Sequence, residues 1–372
     1  MKNILTQLSK RLPTLALGGA VILAASALAF TEKPAAKTEP QATPVSLTLD
    51  ERPVSRDAAG RASFAPVIKK VSPGVVKVFT TVKAQKAGLS EDSDANDLMR
   101  RFFGDQSQGR TPKHGFGTPR QGGVGSGVIA TKDGYILTNN HVVEGADEVK
   151  VALQDGREFT AKVIGRDPKS DVAVIKIDAK DLPAVPLADS DKVEVGDVVL
   201  AIGNPFGIGQ TVTTGIVSAK GRGNMGLDYE DFIQTDASIN PGNSGGALVD
   251  ADGRLIGINT AMLSESGGSQ GIGFAIPVNL ARDVMGSLIK DGHVTRGYLG
   301  VMIQDVTPAL AKEFKLKDNT GALVGDVTPK GPADKAGLKS GDLVVEFNGK
   351  KVADSRHLKL EVASTHPARP CR

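Results

Sequence analysis

The 372-residue chain has no tryptophan, only three tyrosines and a single cysteine, and its net charge is only +3. Each scarcity excludes something. One cysteine, Cys371 at the second-last position, cannot build an internal disulfide framework or a CxxC-type metal site. Five scattered histidines supply no metal-ligand spacing, so no metal and no other cofactor is expected. No basic run interleaved with aromatic residues occurs, which argues against a nucleic-acid partner. Helical segments between the early strands are missing too, and with them the crossovers a parallel sheet requires.

Glycine is abundant, at 44 residues, well above the usual share of roughly 7%. Many glycines and few aromatics suit short strands joined by tight turns. Twelve β-type runs are read at 74–82, 127–130, 135–138, 148–153, 158–164, 172–177, 198–202, 211–219, 232–234, 247–249, 255–259 and 273–276. Turn signals such as Lys132-Asp133-Gly134 and Gln154-Asp155-Gly156 separate them. The pattern predicts an all-β barrel or sandwich. One clear helix follows over 279–289, with Leu280, Val284, Leu288 and Ile289 on one face and Gly292 as its stop. A second unit starts near Arg296, with a strand after Tyr298-Leu299-Gly300-Val301, another over 343–347, a turn at Asn348-Gly349 and a helix over 355–363.

At the amino end, Lys2, Lys10 and Arg11 precede an uncharged run and the small-x-small triplet Ala27-Leu28-Ala29. Residues 1–29 therefore read as an export signal, with an uncleaved inner-membrane anchor as the alternative. Residues 30–63, rich in Pro, Ala, Thr, Lys and Glu, read as a flexible linker. The polar segment 83–122 is far longer than a hairpin loop, and its Leu98, Met99, Phe102 and Phe103 are either a local packing cluster or a docking surface.

The stretch Asn240-Pro241-Gly242-Asn243-Ser244-Gly245-Gly246 places a hydroxyl between glycines that let backbone N–H groups converge. Such a serine needs a base near neutral pKa, and the base needs a carboxylate to hold its tautomer. His114 lies in the long loop and His293, His357 and His366 lie past the strands, which leaves His141. Asp171 opens an apolar strand and would be partly desolvated there, while Asp167, Asp178 and Asp236 compete for the same role. The order His, Asp, Ser on an all-β chain is that of the chymotrypsin arrangement.

Thr138-Asn139-Asn140-His141-Val142-Val143, Ser170-Asp171-Val172-Ala173-Val174 and Gly242-Asn243-Ser244-Gly245-Gly246 resemble the three catalytic blocks of the HtrA (Deg) serine proteases. Three further stretches, 201–207, 234–237 and 271–277, resemble that family in the same order. The resemblance implies two six-stranded chymotrypsin-like β-barrels with a C-terminal helix over 64–293, followed by a small α+β PDZ domain over 294–372. It also implies ATP-independent cleavage of misfolded envelope proteins in the periplasm, possible chaperone activity and assembly as homotrimers or multiples of them. Carried onto this chain, Ser244 is the nucleophile, His141 the base, Asp171 its orienting carboxylate, and the N–H groups of Gly242, Asn243 and Ser244 the oxyanion hole. Loops over 221–231 and 262–272 would control that hole. Trypsin-like enzymes carry an acidic residue six positions before the nucleophile; Ser238 stands there, so small aliphatic P1 residues are expected instead of basic ones. Tyr298, Leu299, Gly300 and Val301 would bind a peptide's terminal carboxylate, with strand pairing beyond it. After about Thr365 the chain leaves the PDZ pattern, so an incomplete PDZ unit is expected.

Overall fold

The computed structural model describes residues 47–50, 52, 63–82, 121–204, 209–223, 225–262 and 268–365. The export signal, the cluster around Phe102 and Phe103, and the tail 366–372 lie outside the described residues.

Strands β1 (Val75–Val82), β2 (Gln121–Ile129), β3 (Tyr135–Asn139), β4 (Glu148–Ala152), β5 (Glu158–Asp167) and β6 (Val172–Lys176) close a barrel in the order β1-β2-β3-β6-β5-β4. Strands β7 (Val198–Gly203), β8 (Thr211–Arg222), β9 (Phe232–Thr235), β10 (Ala247–Asp250), β11 (Leu255–Met262) and β12 (Gly273–Pro277) close a second barrel in the equivalent order. Closure leaves no open sheet edge in either.

Side chains alternate across a strand, and that alternation joins the barrels. On β6, Ala173 and Ile175 enter the first barrel's core with Val78, Ile136 and Val151. Val172 and Val174 point the other way, into a cluster with Leu200, Ile202, Phe232 and Ile258 of the second barrel. Strand β2 divides likewise, with Ile129 inside the first barrel and Val128 turned to the second. The strand is apolar on both faces because both are covered.

Among the described residues, three α-helices accompany the barrels: α1 (Ala65–Val71), the single turn α2 (Asn140–Val143) and α3 (Val278–Asp291). On α3, Val284 and Leu288 are buried as the periodicity predicts, and Ala281 and Met285 join them, while Leu280 and Ile289 are half-buried. Gly292 stops the helix in a left-handed conformation, φ 74°. Helix α1 has no counterpart in the sequence reading: its Pro66 sits in the first turn, where a missing N–H costs nothing, and the run is only seven residues long.

The second unit contains β13 (Val301–Asp305), α4 (Pro308–Glu313), β14 (Ala322–Val327), α5 (Pro332–Ala336), β15 (Leu343–Val344), β16 (Glu346–Phe347), β17 (Lys350–Lys351) and α6 (Ser355–Ser364). The strand expected over 343–347 is two: β15 pairs with β14 while β16 pairs with β17, and Val345 stands exposed at the break. Asn348 and Gly349 both take positive φ, 50° and 79°, as a type I′ hairpin turn demands.

Within the stretch read as a linker, residues 47–50 are engaged by the fold. Leu187 donates its N–H to the Thr48 carbonyl (3.1 Å) and accepts from Asp50 N–H (2.9 Å). The fully buried Arg254 pairs with Asp250 at 2.7 Å and donates to the Arg52 carbonyl. A buried guanidinium requires such partners, and the composition of the segment did not reveal that it would provide one.

Candidate active site

Strand β3 ends at Asn139, and the helical turn α2 that follows sends Val143 into the first core and carries His141. The loop before β6 supplies Asp171. Its φ of 56° is a left-handed conformation in which aspartate is among the few tolerated side chains. The Asp171 carbonyl accepts from Asn140 N–H (3.1 Å) and Asn139 Nδ2 (3.0 Å). Its Oδ1 accepts from His141 N–H at 3.0 Å and its Oδ2 lies 2.8 Å from His141 Nδ1. That contact places the ring proton on Nδ1 and leaves Nε2 as an acceptor. The two side chains are only 4% and 1% exposed, so Asp171 is wholly buried and not partly desolvated at a strand mouth.

The competing carboxylates are used elsewhere. Asp167 is gripped by Arg296 and by the Ser170 hydroxyl, Asp236 accepts from Ile216 N–H at 2.7 Å, and Asp178 is exposed.

Ser244 comes from the turn between β9 and β10. Pro241 and Gly242 form its corner: Asn243 N–H donates to the Asn240 carbonyl at 2.9 Å and Gly242 has φ 97°, the pattern of a type II turn with Pro then Gly in the middle. Of the three N–H groups expected to line an oxyanion hole, that of Asn243 is therefore committed to the turn. Those of Gly242 and Ser244 have no partner among the described residues. The next residue, Gly245, must be glycine, since a Cβ there would stand 2.0 Å from the Ser126 carbonyl oxygen.

Thr260, on β11, was not read from the sequence, yet it touches both halves of the constellation. Its hydroxyl donates to Asp171 Oδ2 at 2.7 Å and its carbonyl accepts from Ser244 Oγ at 3.1 Å. His141 Nε2 is buried with no hydrogen-bond partner among the described residues. A second unforeseen residue is Glu230, whose buried carboxylate accepts from Met225 N–H and Leu227 N–H and so staples the turn before β9.

In the second unit, Tyr298 is 68% exposed, Gly300 adopts φ 80°, and Leu299 and Gly300 carbonyls accept from Ala333 N–H and Thr328 N–H, both at 2.9 Å. Val301 then opens β13, whose Met302 is 69% exposed.

Two antiparallel barrels that bring a buried imidazole–carboxylate pair from one and a serine turn from the other define the trypsin-like peptidase class. Residues 125–258 match the trypsin-like peptidase domain family and residues 297–371 match the PDZ domain family. The periplasmic serine endoprotease DegP of Escherichia coli (strain K12) is 44% identical over 345 residues, covering 87% of this chain and 71% of that protein. A probable periplasmic serine endoprotease, DegP-like, of Marinomonas sp. (strain MWYL1) is 47% identical over 81% of this chain and 66% of its own length. A solved HtrA-type protease, AlgW with tripeptide, is 48% identical with a TM-score of 0.66, covering 82% of this chain and 89% of that one. The chain belongs to the DegP-like HtrA family of serine endoproteases. It spans 66%, 65% and 63% of the length of three of the curated relatives it matches.

Proposed function

We propose that this chain is an ATP-independent serine endoprotease of the bacterial envelope that cleaves misfolded polypeptides through an acyl-enzyme. The observation that carries the reading is the buried His141–Asp171 pair, whose remaining acceptor nitrogen has no hydrogen-bond partner among the described residues. Ser244 Oγ forms the bond to the scissile carbonyl carbon while its proton passes to His141 Nε2; the C–N bond then breaks and the proton leaves with the amine. Water repeats the sequence to release the acyl group. Asp171 holds the imidazole and stabilises its charged form, and the N–H groups of Gly242 and Ser244 receive the oxyanion. In the resting geometry Ser244 Oγ is turned to the Thr260 carbonyl, and catalytic hydrogen bonds of this kind tighten when substrate binds.

A small aliphatic P1 residue is assigned to the site. Ile239, five positions before Ser244, is fully buried, and a Cβ on Gly273 would lie 2.6 Å from Ile239 Cγ1, so the two are closely packed. Ser238 offers no charge for a basic P1 side chain. The Tyr298 to Val301 loop is assigned to peptide C-termini, residues 1–29 to export into the periplasm, and the assembly to homotrimers or their multiples. Holding clients without cutting them is a further activity of the same chain.

The test uses the full chain and its Ser244→Ala variant with casein, with peptides differing only in Val or Lys at P1, and with a fluorophosphonate probe. Labelling and casein cleavage by the wild type, their loss in the variant and a preference for Val support the reading. An unlabelled wild type, or equal cleavage at Lys, overturns the chemistry or the specificity respectively.

A further inference from the structure

We propose that Ser126 is a positioning residue for the oxyanion loop, a clasp carried by the first barrel that fixes the peptide on which the Gly242 donor depends. This rests on the proteolytic reading above. Ser126 lies on β2, two residues before Val128, and so shares the face that β2 turns to the second barrel. It is 0% exposed. Its hydroxyl donates to the Gly242 carbonyl at 2.7 Å and accepts from Asn204 N–H at 2.9 Å. Its backbone N–H donates to the Ser244 carbonyl at 2.8 Å, and its own carbonyl accepts from Thr138 Oγ at 2.7 Å. One residue of the first barrel therefore ties both the serine turn and the loop after β7.

The consequence follows from the planarity of the peptide unit. The Gly242–Asn243 peptide is held at both ends, its oxygen by Ser126 Oγ and its N–H by the Asn240 carbonyl. Turning that plane breaks both bonds together. The Gly242 N–H belongs to the preceding peptide, and φ and ψ of Gly242 together set its direction relative to this plane, so a held plane is the reference from which φ 97° aims that donor. Glycine itself offers little resistance to other values, so the restraint must come from outside the residue. Ser126 supplies it. Removing the hydroxyl also takes this partner from the half-buried Gly242 carbonyl and from the buried Asn204 N–H, a state the loop relieves by moving. Ser126 does not touch the reacting atoms; it acts through the direction of one donor.

The experiment measures kcat and KM on a Val-P1 peptide for Ser126→Ala and Ser126→Cys, and amide hydrogen exchange over residues 240–246 in the same full-length proteins. Ser190→Ala is the control, since Ser190 is also a buried hydroxyl, accepting from Asn279 N–H at 3.2 Å, but is not bonded to the serine turn. The expected result is a fall in kcat of about tenfold to a hundredfold, short of the ~10²–10³ for deleting a donor outright. KM stays within about twofold and exchange at the Asn243 amide rises about tenfold or more, while Ser190→Ala changes neither. Cysteine, a weaker donor of similar shape, gives the same pattern to a lesser degree and serves if the alanine variant does not fold. Values of kcat within about twofold of wild type with unchanged exchange over 240–246 overturn the clasp. So does an equal loss in Ser190→Ala. A wild type that does not cleave at all defeats the proteolytic reading instead, and the exchange at Asn243 still decides the role of Ser126.

Discussion

Asp171 carries five hydrogen bonds, three to its carboxylate and two to its carbonyl, and all come from residues that also shape the site. Only one of them crosses from the second barrel, the Thr260 hydroxyl. Replacing Thr260 by Val keeps the branched shape and removes that donor, leaving a buried carboxylate oxygen with His141 alone. A hydrogen bond to a buried charge is worth roughly 1.5–3 kcal/mol, so Thr260→Val is expected to lower kcat about tenfold and to lower the unfolding midpoint. Steady-state kinetics with a Val-P1 peptide and a thermal melt check both. At this scale the sequence was legible where chemistry restricts the choice of residue: a serine between glycines, a histidine by elimination and an aspartate at a strand entrance. It was not legible where the role belongs to an ordinary hydroxyl. Ser126 between two glycines and Thr260 in an apolar strand look like any strand residue, and only the approach of the two barrels gives them partners.

Elements were read well where a turn residue or a stop signal bounds them, as at Lys132-Asp133-Gly134, Asn348-Gly349 and Gly292. The start of β2 at Gln121 was not, since its run of glycines lacks side chains to alternate. Helix α6 shows what bounds an element in physical terms. Asp354 caps it, accepting from His357 N–H at 2.6 Å, and Asp305 at the end of β13 accepts from Ser355 N–H (2.9 Å) and its hydroxyl (2.6 Å). Those bonds from Ser355 hold the Asp305 carboxyl below the usual carboxylate range. A carboxyl depressed by folding stabilises the fold above its unfolded pKa of about 3.9, and the contribution is lost as pH falls through the folded value. Asp305→Asn is therefore expected to lower the unfolding midpoint at pH 7 and to match the wild type progressively more closely as the medium is acidified below about pH 4. Asp354→Ala removes a cap worth about 1 kcal/mol, and its effect at pH 7 sets the scale against which Asp305→Asn is judged in the same melts.

Over the whole molecule, the second unit is linked to the barrels by charge as well as by the chain. Arg356 of α6 pairs with Asp231 just before β9, and Arg296 pairs with Asp167 at the end of β5. The ring of Tyr229 has the Arg296 guanidinium 4.2 Å and the Lys359 ammonium of α6 5.1 Å from its centroid. None of this was visible in the sequence, because both ion pairs join residues more than a hundred positions apart and the Tyr229 contacts are also far from local. Burial pushes the half-buried Asp231 carboxyl up, and Arg356 works against that shift. For a carboxyl raised by folding the sign is the reverse of Asp305: its charged form opposes the fold, and stability falls as pH rises from the unfolded value toward the folded one. Arg356→Ala removes the compensating charge and raises Asp231 further. The penalty for that substitution is expected to be small at pH 3, where Asp231 is protonated in both states, and to grow up to pH 7. Asp231→Asn has no such charge to bury, so the penalty of Arg356→Ala made in that background should change much less between the two pH values, the remainder coming from Asp354, 3.7 Å from the Arg356 guanidinium. A double-mutant cycle by chemical denaturation would give a coupling of about 0.5–1 kcal/mol at pH 7 for a pair this exposed, reduced by added salt. A coupling independent of both pH and salt would mean that the second unit is held to the barrels by packing around Tyr229 and not by this ion pair.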